Sequence, residues 1–132
     1  MVNQNYTLLV VDDNEENRDI LSRRLSSAGF KTINAKDGLE ATKVLNEKVI
    51  HLVLLDIMMP EVDGITLLSQ IRANSNFDDM PIIMVTAIDV VNVAQDCLRK
   101  GACGYVTKPY DIDLIKQKIR QCLNLEPRLV NS

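Results

Sequence analysis

The chain has 132 residues, 46% of them hydrophobic and 25% charged, with a formal net charge of −3. That length suits one domain with a core large enough to stand without zinc or disulfides. Mild acidity argues against direct nucleic-acid binding, which needs a basic patch or stripe, and no apolar run approaches a membrane span.

Met1 to Tyr6 offers neither a basic n-region nor an apolar h-region, so a secretory signal is not expected and a cytoplasmic location is. Leu8-Leu9-Val10-Val11 is a short apolar run ending at Asp12 and Asp13. Asn14 to Ala28 then carries Ile20, Leu21 and Leu25 at helical spacing, with Gly29 as the stop. Lys31 to Ala35 reads as a strand, Asp37-Gly38 as a turn, and Leu39 to Lys48 as a helix through Ala41, Val44 and Leu45. Leu52 to Leu55 is a second apolar run, ending at Asp56. Pro60 and Asp63-Gly64 mark a loop, and Ile65 to Ala73 places Leu67, Leu68 and Ile71 on one helical face. Pro81 to Val85 runs to Thr86, and a helix is expected over about Asp89 to Lys100, before Gly101. Gly104 to Thr107 runs to Lys108-Pro109, and a last helix covers about Asp111 to Asn124 with Leu114, Ile115, Ile119, Cys122 and Leu123 as its apolar stripe.

Five strand–helix alternations predict an α/β domain built on a parallel sheet. Continuous apolar strands imply burial on both faces, and right-handed crossovers place helices on both sides. The domain is expected over 1–125, with 126–132 as a short C-terminal tail or linker stub. Cys97, Cys103 and Cys122 are odd in number and show no CxxC pair, so three reduced, partly buried thiols are expected. His51 is the only histidine and has no partner at metal-ligand spacing, which favours a structural or surface role. On the helix before Gly101, Val90, Val91 and Val93 point in different directions, so at least one valine is expected to be exposed as a partner or dimer contact or as a lone surface residue.

In open parallel sheets, ligands bind outside the carboxyl ends of the strands. Asp12, Asp13, Asp56, Thr86 and Lys108 all fall there. Carboxylates gathered in one place repel one another unless a cation or protons neutralise them. Ligands that are all oxygen favour Mg²⁺, with Mn²⁺ as the alternative, over zinc. Lys108 adds a point charge suited to phosphate, and Thr86 a hydroxyl donor. A carboxylate nucleophile, a metal, a lysine and a hydroxyl are what phosphoryl transfer onto aspartate needs.

The motifs Val10-Val11-Asp12-Asp13-Asn14, Leu54-Leu55-Asp56-Ile57-Met58-Met59-Pro60 with Asp63-Gly64, Val85-Thr86-Ala87 and Tyr105-Val106-Thr107-Lys108-Pro109 resemble those of the receiver domains of bacterial two-component response regulators. The resemblance spans about Thr7 to Leu123. It implies a flavodoxin-like (βα)5 fold, a five-stranded parallel sheet of order 2-1-3-4-5 with helices on both faces. It implies Asp56 as phosphoacceptor, with Mg²⁺ held by Asp13, Asp56 and the Met58 backbone carbonyl and by Asp12 mainly through water. Lys108 is implied to pair with Asp56 and then with phosphate, and Ala87 to give a backbone amide to the phosphate. Thr86 and Tyr105 are implied as switch residues, and the Lys108-Pro109 bond as cis. Met58 and Ile88 occupy the two positions that tune phosphoryl lifetime; both are apolar, which points to slow self-dephosphorylation.

The implied role is a phosphorylation-dependent switch that assists its own phosphorylation, not an enzyme acting on an external substrate. Its donor would be a histidine kinase or phosphotransfer protein. Its output would be an unidentified partner or fused output domain, with the last two helices as the surface and a homodimer through them as one form. Three other classes compete. A haloacid-dehalogenase-type phosphatase wants an aspartate where Met58 stands, and a flavodoxin-like electron carrier would not place Asp12-Asp13-Asn14-Glu15-Glu16 against a phosphate. A pseudo-receiver interaction module would work without phosphorylation.

Overall fold

The computed structural model describes residues 5–125, so the expected tail at 126–132 lies outside the described residues. The elements follow the expected alternation: β1 (Thr7–Val11), α1 (Glu15–Ser27), β2 (Lys31–Ala35), α2 (Gly38–Glu47), β3 (Leu52–Leu55), α3 (Gly64–Arg72), β4 (Ile82–Thr86), α4 (Val91–Arg99), β5 (Gly104–Thr107) and α5 (Ile112–Cys122). All strand pairs are parallel and the order is β2-β1-β3-β4-β5, the flavodoxin-like arrangement.

Side-chain alternation along the strands sorts the core into two layers. Leu8 and Val10 face α1 and α5, where they meet Leu21, Leu25, Ile115 and Ile119. Leu9 and Val11 face the other way, toward Ala41, Leu45, Leu67, Leu68, Ile71 and Cys97 of α2, α3 and α4. The central strands β1, β3 and β4 are buried along nearly their whole length, which is why they read as unbroken apolar runs.

Short polar side chains start four of the five helices. Asn14, Asp37, Asp63 and Asp111 each accept a backbone N–H of the first turn, satisfying a donor that would otherwise have no partner in the helix. The fifth helix, α4, has Val90 at its N-cap and no side-chain cap, and it begins two residues later than its pattern suggests. Gly29 closes the end of α1 at φ 101°, in the left-handed region.

Two expectations are corrected. Cys103 and Cys122 form a disulfide, leaving Cys97 as the one free and fully buried thiol. Spacing alone hides this pair, since 19 positions separate its members. However, α5 returns along β5, and about 16 Å of helix nearly matches about 13 Å of strand. The last helical residue therefore comes back level with the residue before the strand. Leu114 is 41% exposed and lies off the buried stripe of α5. A 3-10 turn at Ser75–Phe77, absent from the sequence pattern, links α3 to β4.

Arg72 braces that connection. Its guanidinium donates to the carbonyls of Phe77, Met80 and Gly101, joining α3, the 3-10 turn and the α4–β5 turn. Burial holds its pKa below the ordinary arginine value, against the opposing charges of Asp78 and Asp79. His51 has a structural place: its Nδ1 accepts the Thr7 N–H at 3.0 Å and its ring packs edge-on against Tyr6. Val90 and Val91 are both exposed, at 51% and 69%, whereas Val93 packs against the core.

Candidate functional site

Register explains why distant residues meet at one sheet edge. Val11 pairs with Leu55, so Asp12 and Asp56 leave adjacent strands side by side. Leu55 pairs with Met84, which puts Thr86 just beyond Asp56 on the next strand. Thr86 pairs with Thr107, and Lys108 follows at once. Backbone bonds extend the ladder past the strand ends: Asp56 N–H donates to Val11 O at 3.0 Å, and Lys108 N–H to Thr86 O at 2.8 Å.

Asp12 and Asp56 are each only 6% exposed, whereas Asp13 faces solvent. One carboxylate oxygen from each of Asp12, Asp13 and Asp56 lies within 4.8 Å of the others, a cluster that could hold a metal ion. The donor set is entirely oxygen, which suits a hard divalent cation.

Lys108 supplies the opposite charge. Its Nζ donates to Asp12 Oδ2 at 2.7 Å and to Asp56 Oδ2 at 3.0 Å. Burial pulls the ammonium pKa down, but the hydrogen bonds and charges of Asp12 and Asp56 outweigh it, and the net shift is upward. Lys108 is therefore firmly cationic at neutral pH. The Lys108–Pro109 peptide is cis.

The remaining carboxylate oxygens are oriented by backbone. Asp12 Oδ1 accepts the Asn14 N–H at 2.9 Å, and Asp56 Oδ1 accepts the Met58 N–H at 3.2 Å. Arg18, on α1, donates to the Asp12 carbonyl at 2.8 Å. Thr86 is fully buried and its Oγ1 accepts the Ile88 N–H at 3.4 Å. Ala87 is exposed beside it. Tyr105 donates from its hydroxyl to the Ile88 carbonyl at 2.7 Å, tying β5 to the loop that enters α4. Burial raises the Tyr105 pKa, with Cys97, Asp89 and Asp56 adding to it, so this phenol remains a donor.

Asp12, Asp13, Asp56, Thr86 and Lys108 thus stand at this edge, with Met58, Ala87 and Ile88 in the loops beside it and the Tyr105 hydroxyl reaching Ile88 from β5. Three features of the site were missed. One is the Asp12–Lys108 ion pair, shorter than the expected Asp56–Lys108 pair. Another is Arg18, whose position within α1 gives no sign of its reach. The last is Gly64, where a Cβ would overlap the Asp56 carbonyl oxygen and approach Ile57 Cα to 2.8 Å. The Asp63-Gly64 pair carried a signal for this, since glycine after a capping aspartate also suits a close backbone approach.

Comparison with known proteins agrees with this fold. Residues 8–120 match the family described as the response regulator receiver domain. The chain is 38% identical over 132 residues to the probable transcriptional regulator ycf27 of Pyropia yezoensis, covering all of this chain and 53% of that protein. It is also 38% identical over 117 residues to the sensor histidine kinase RcsC of Escherichia coli, covering 89% of this chain and 12% of that protein. The chain spans about half the length, or less, of these curated relatives. Among solved structures, chemotaxis protein CheY4 of Vibrio cholerae superposes with a TM-score of 0.84 at 26% identity, covering 89% of this chain and 98% of that one. With five parallel strands in the same order and the receiver motifs gathered at one edge, the chain belongs to the receiver-domain family of two-component response regulators.

Proposed function

We propose that this chain is a phosphorylation-dependent switch in which Asp56 accepts a phosphoryl group. The observation that carries this reading is the pair of buried carboxylates, Asp12 and Asp56, bridged by one lysine beside the exposed Asp13. Two buried carboxylates and one ammonium leave excess negative charge, and a third carboxylate adds to it. Mg²⁺, or Mn²⁺ in its place, fits this all-oxygen cluster; Asp12, Asp13, Asp56 and the Met58 carbonyl would hold it, and it would neutralise phosphoryl oxygens.

The protein groups divide the remaining work. Asp56 is the nucleophile: a carboxylate oxygen forms the new P–O bond as the bond between phosphorus and the donor breaks. Lys108 is cationic and adjacent, and it follows the charge from carboxylate to phosphoryl oxygen. Ala87 is small and exposed, which gives a phosphate access to its backbone N–H. The Thr86 hydroxyl turns from the Ile88 amide toward the phosphoryl group, and Tyr105 exchanges its hold on Ile88 for a new position. Output follows through α4, β5 and α5, where Val90, Val91, Leu98 and Leu114 are exposed for a partner, a fused output domain or a second copy.

The donor is a histidine kinase or phosphotransfer protein in the cytoplasm, and turnover of an external substrate is not part of the role. A groove of about 460 Å³ beside Lys108, lined by Ile20, Leu21, Arg24, Pro109 and Tyr110, gives such a donor room to approach. Incubation with acetyl phosphate or phosphoramidate, with and without Mg²⁺, followed by intact mass spectrometry beside Asp56→Asn, tests the reading. One phosphoryl group gained only with Mg²⁺ and only in the parent chain is expected. A chain that binds neither Mg²⁺ nor phosphoryl would instead be an interaction module that works without phosphorylation.

A further inference from the structure

Two of the three cysteines sit where the α5 return closes on β5. Cys103 immediately precedes β5 and is exposed, and Cys122 is the last residue of α5 and half-buried. Their Cα atoms are 6.2 Å apart, inside the range a disulfide spans. The remaining thiol, Cys97, is 0% exposed, and burial raises its pKa, with Asp96 adding to the effect. The three cysteines therefore differ sharply in access: one exposed, one half-buried, and one sealed in the core.

The anchors of the pair do not depend on the bond between them. The Cys103 N–H donates to Ile82 O at 2.7 Å, and the next residue, Gly104, pairs with Ile83 in the sheet. On the helix side, Ile115 and Ile119 are fully buried, and Leu123 and Asn124 close the helix with hydrogen bonds to Ile119 and Gln121. These contacts, none of which involves the bond, anchor the backbone on both sides of the pair. An exposed sulfur facing a fixed partner is the arrangement that thiol–disulfide exchange requires.

We propose that Cys103 and Cys122 form a reversible dithiol–disulfide site that clamps the end of α5 to the start of β5. The co-reactant class is a low-molecular-weight disulfide, R–S–S–R, of the glutathione type. The Cys103 thiolate attacks one sulfur of R–S–S–R and releases R–S⁻. The Cys122 thiolate then attacks the Cys103 sulfur of the mixed disulfide and releases the second R–S⁻. Cys103 and Cys122 together lose two electrons and two protons, and the reagent gains them as two thiols. Reduced R–SH reverses both steps. The closed loop contains Tyr105 and Lys108, so the clamp restrains the segment carrying both.

The test equilibrates the 132-residue chain in glutathione buffers running from fully reduced to fully oxidised. Each sample is denatured in N-ethylmaleimide, weighed intact and mapped by peptide. Cys103 and Cys122 are expected to lose their labels together in one two-electron transition, reversible without denaturation, while Cys97 is labelled throughout. Cys103→Ser removes that transition. Oxidation of the parent chain raises the thermal midpoint by roughly 5–15 °C and slows hydrogen exchange at 120–125; Cys103→Ser shows neither change. The proposal is overturned if both thiols stay labelled in the most oxidising buffer. It is equally overturned if single glutathione adducts accumulate without closure, or if the bond opens only after the chain is unfolded.

Discussion

Lys108 stands closer to Asp12 than to Asp56, its Nζ lying 2.7 Å from Asp12 Oδ2 and 3.0 Å from Asp56 Oδ2. Both carboxylates are buried, so removing the ammonium leaves each with one backbone N–H and no countercharge. Lys108→Met is expected to lower stability by about 2–4 kcal/mol at neutral pH, less with Mg²⁺ present. The lysine pKa is raised in the folded state above its ordinary 10.5. Its contribution is therefore complete below that pH and lost as pH climbs through the higher folded value. Urea midpoints of parent and variant should stay apart from pH 7 to 10 and converge only above; convergence near neutrality would contradict the pairing.

Gly64 is expected to tolerate no side chain. A Cβ there collides with backbone, the Asp56 carbonyl and Ile57 Cα, and backbone yields less readily than a flexible side chain. Gly64→Ala should cost about 1–3 kcal/mol and displace the loop that follows Asp56. Denaturant titration reads the first effect, and the rate of phosphorylation by acetyl phosphate reads the second. Unaltered stability together with an unaltered rate would show that the loop is not constrained here.

Arg72 and Gly101 make a second constrained pair. Gly101 has φ 108°, and a Cβ on it would meet the Arg72 Nε at 2.7 Å. Arg72→Met strips hydrogen bonds from the carbonyls of Phe77, Met80 and Gly101. It should destabilise by about 2–4 kcal/mol. Gly101→Ala should cost a similar amount. The double variant should cost less than the sum, since each change disturbs the same contact. Strict additivity in urea unfolding would place the two effects in separate parts of the fold.

Tyr105→Phe removes the hydroxyl bond to the Ile88 carbonyl, the shorter of two side-chain bonds that hold Ile88 at the entry to the uncapped helix α4. A loss of about 0.5–1.5 kcal/mol is expected. Hydrogen exchange should quicken at 88–94 while the α1 region stays unchanged. Equal protection in both proteins would mean that the hydroxyl does not hold this loop.

Met58 is 58% exposed beside Asp56, and Ile88 is half-buried beyond Thr86. Neither side chain can orient an attacking water by hydrogen bonding. Phospho-Asp56 should therefore decay slowly without a phosphatase, and Met58→Asn should shorten its half-life several-fold. Decay of the parent within seconds, followed by intact mass, would remove the basis for this expectation.

Much of the fold was legible because its signals are local. Unbroken apolar runs marked β1, β3 and β4 as doubly buried strands, and helical spacing from Asn14 and from Asp111 placed α1 and α5 to within a few residues. Once the strands are parallel, their carboxyl ends share an edge, so Asp12, Asp56, Thr86 and Lys108 had to converge. Other features depend on how finished elements pack. Leu114 has the same apolar character as Ile115, yet only the seat of α5 on the sheet decides which is buried. Arg72 meets three carbonyls supplied by two other segments, and Lys108 divides itself between two aspartates according to strand register. The Cys103–Cys122 pair exists because a helix and a strand of nearly equal length run back along each other. Residue type and periodicity are properties of the chain, whereas these distances belong to segments far apart in it, and only tertiary packing sets them.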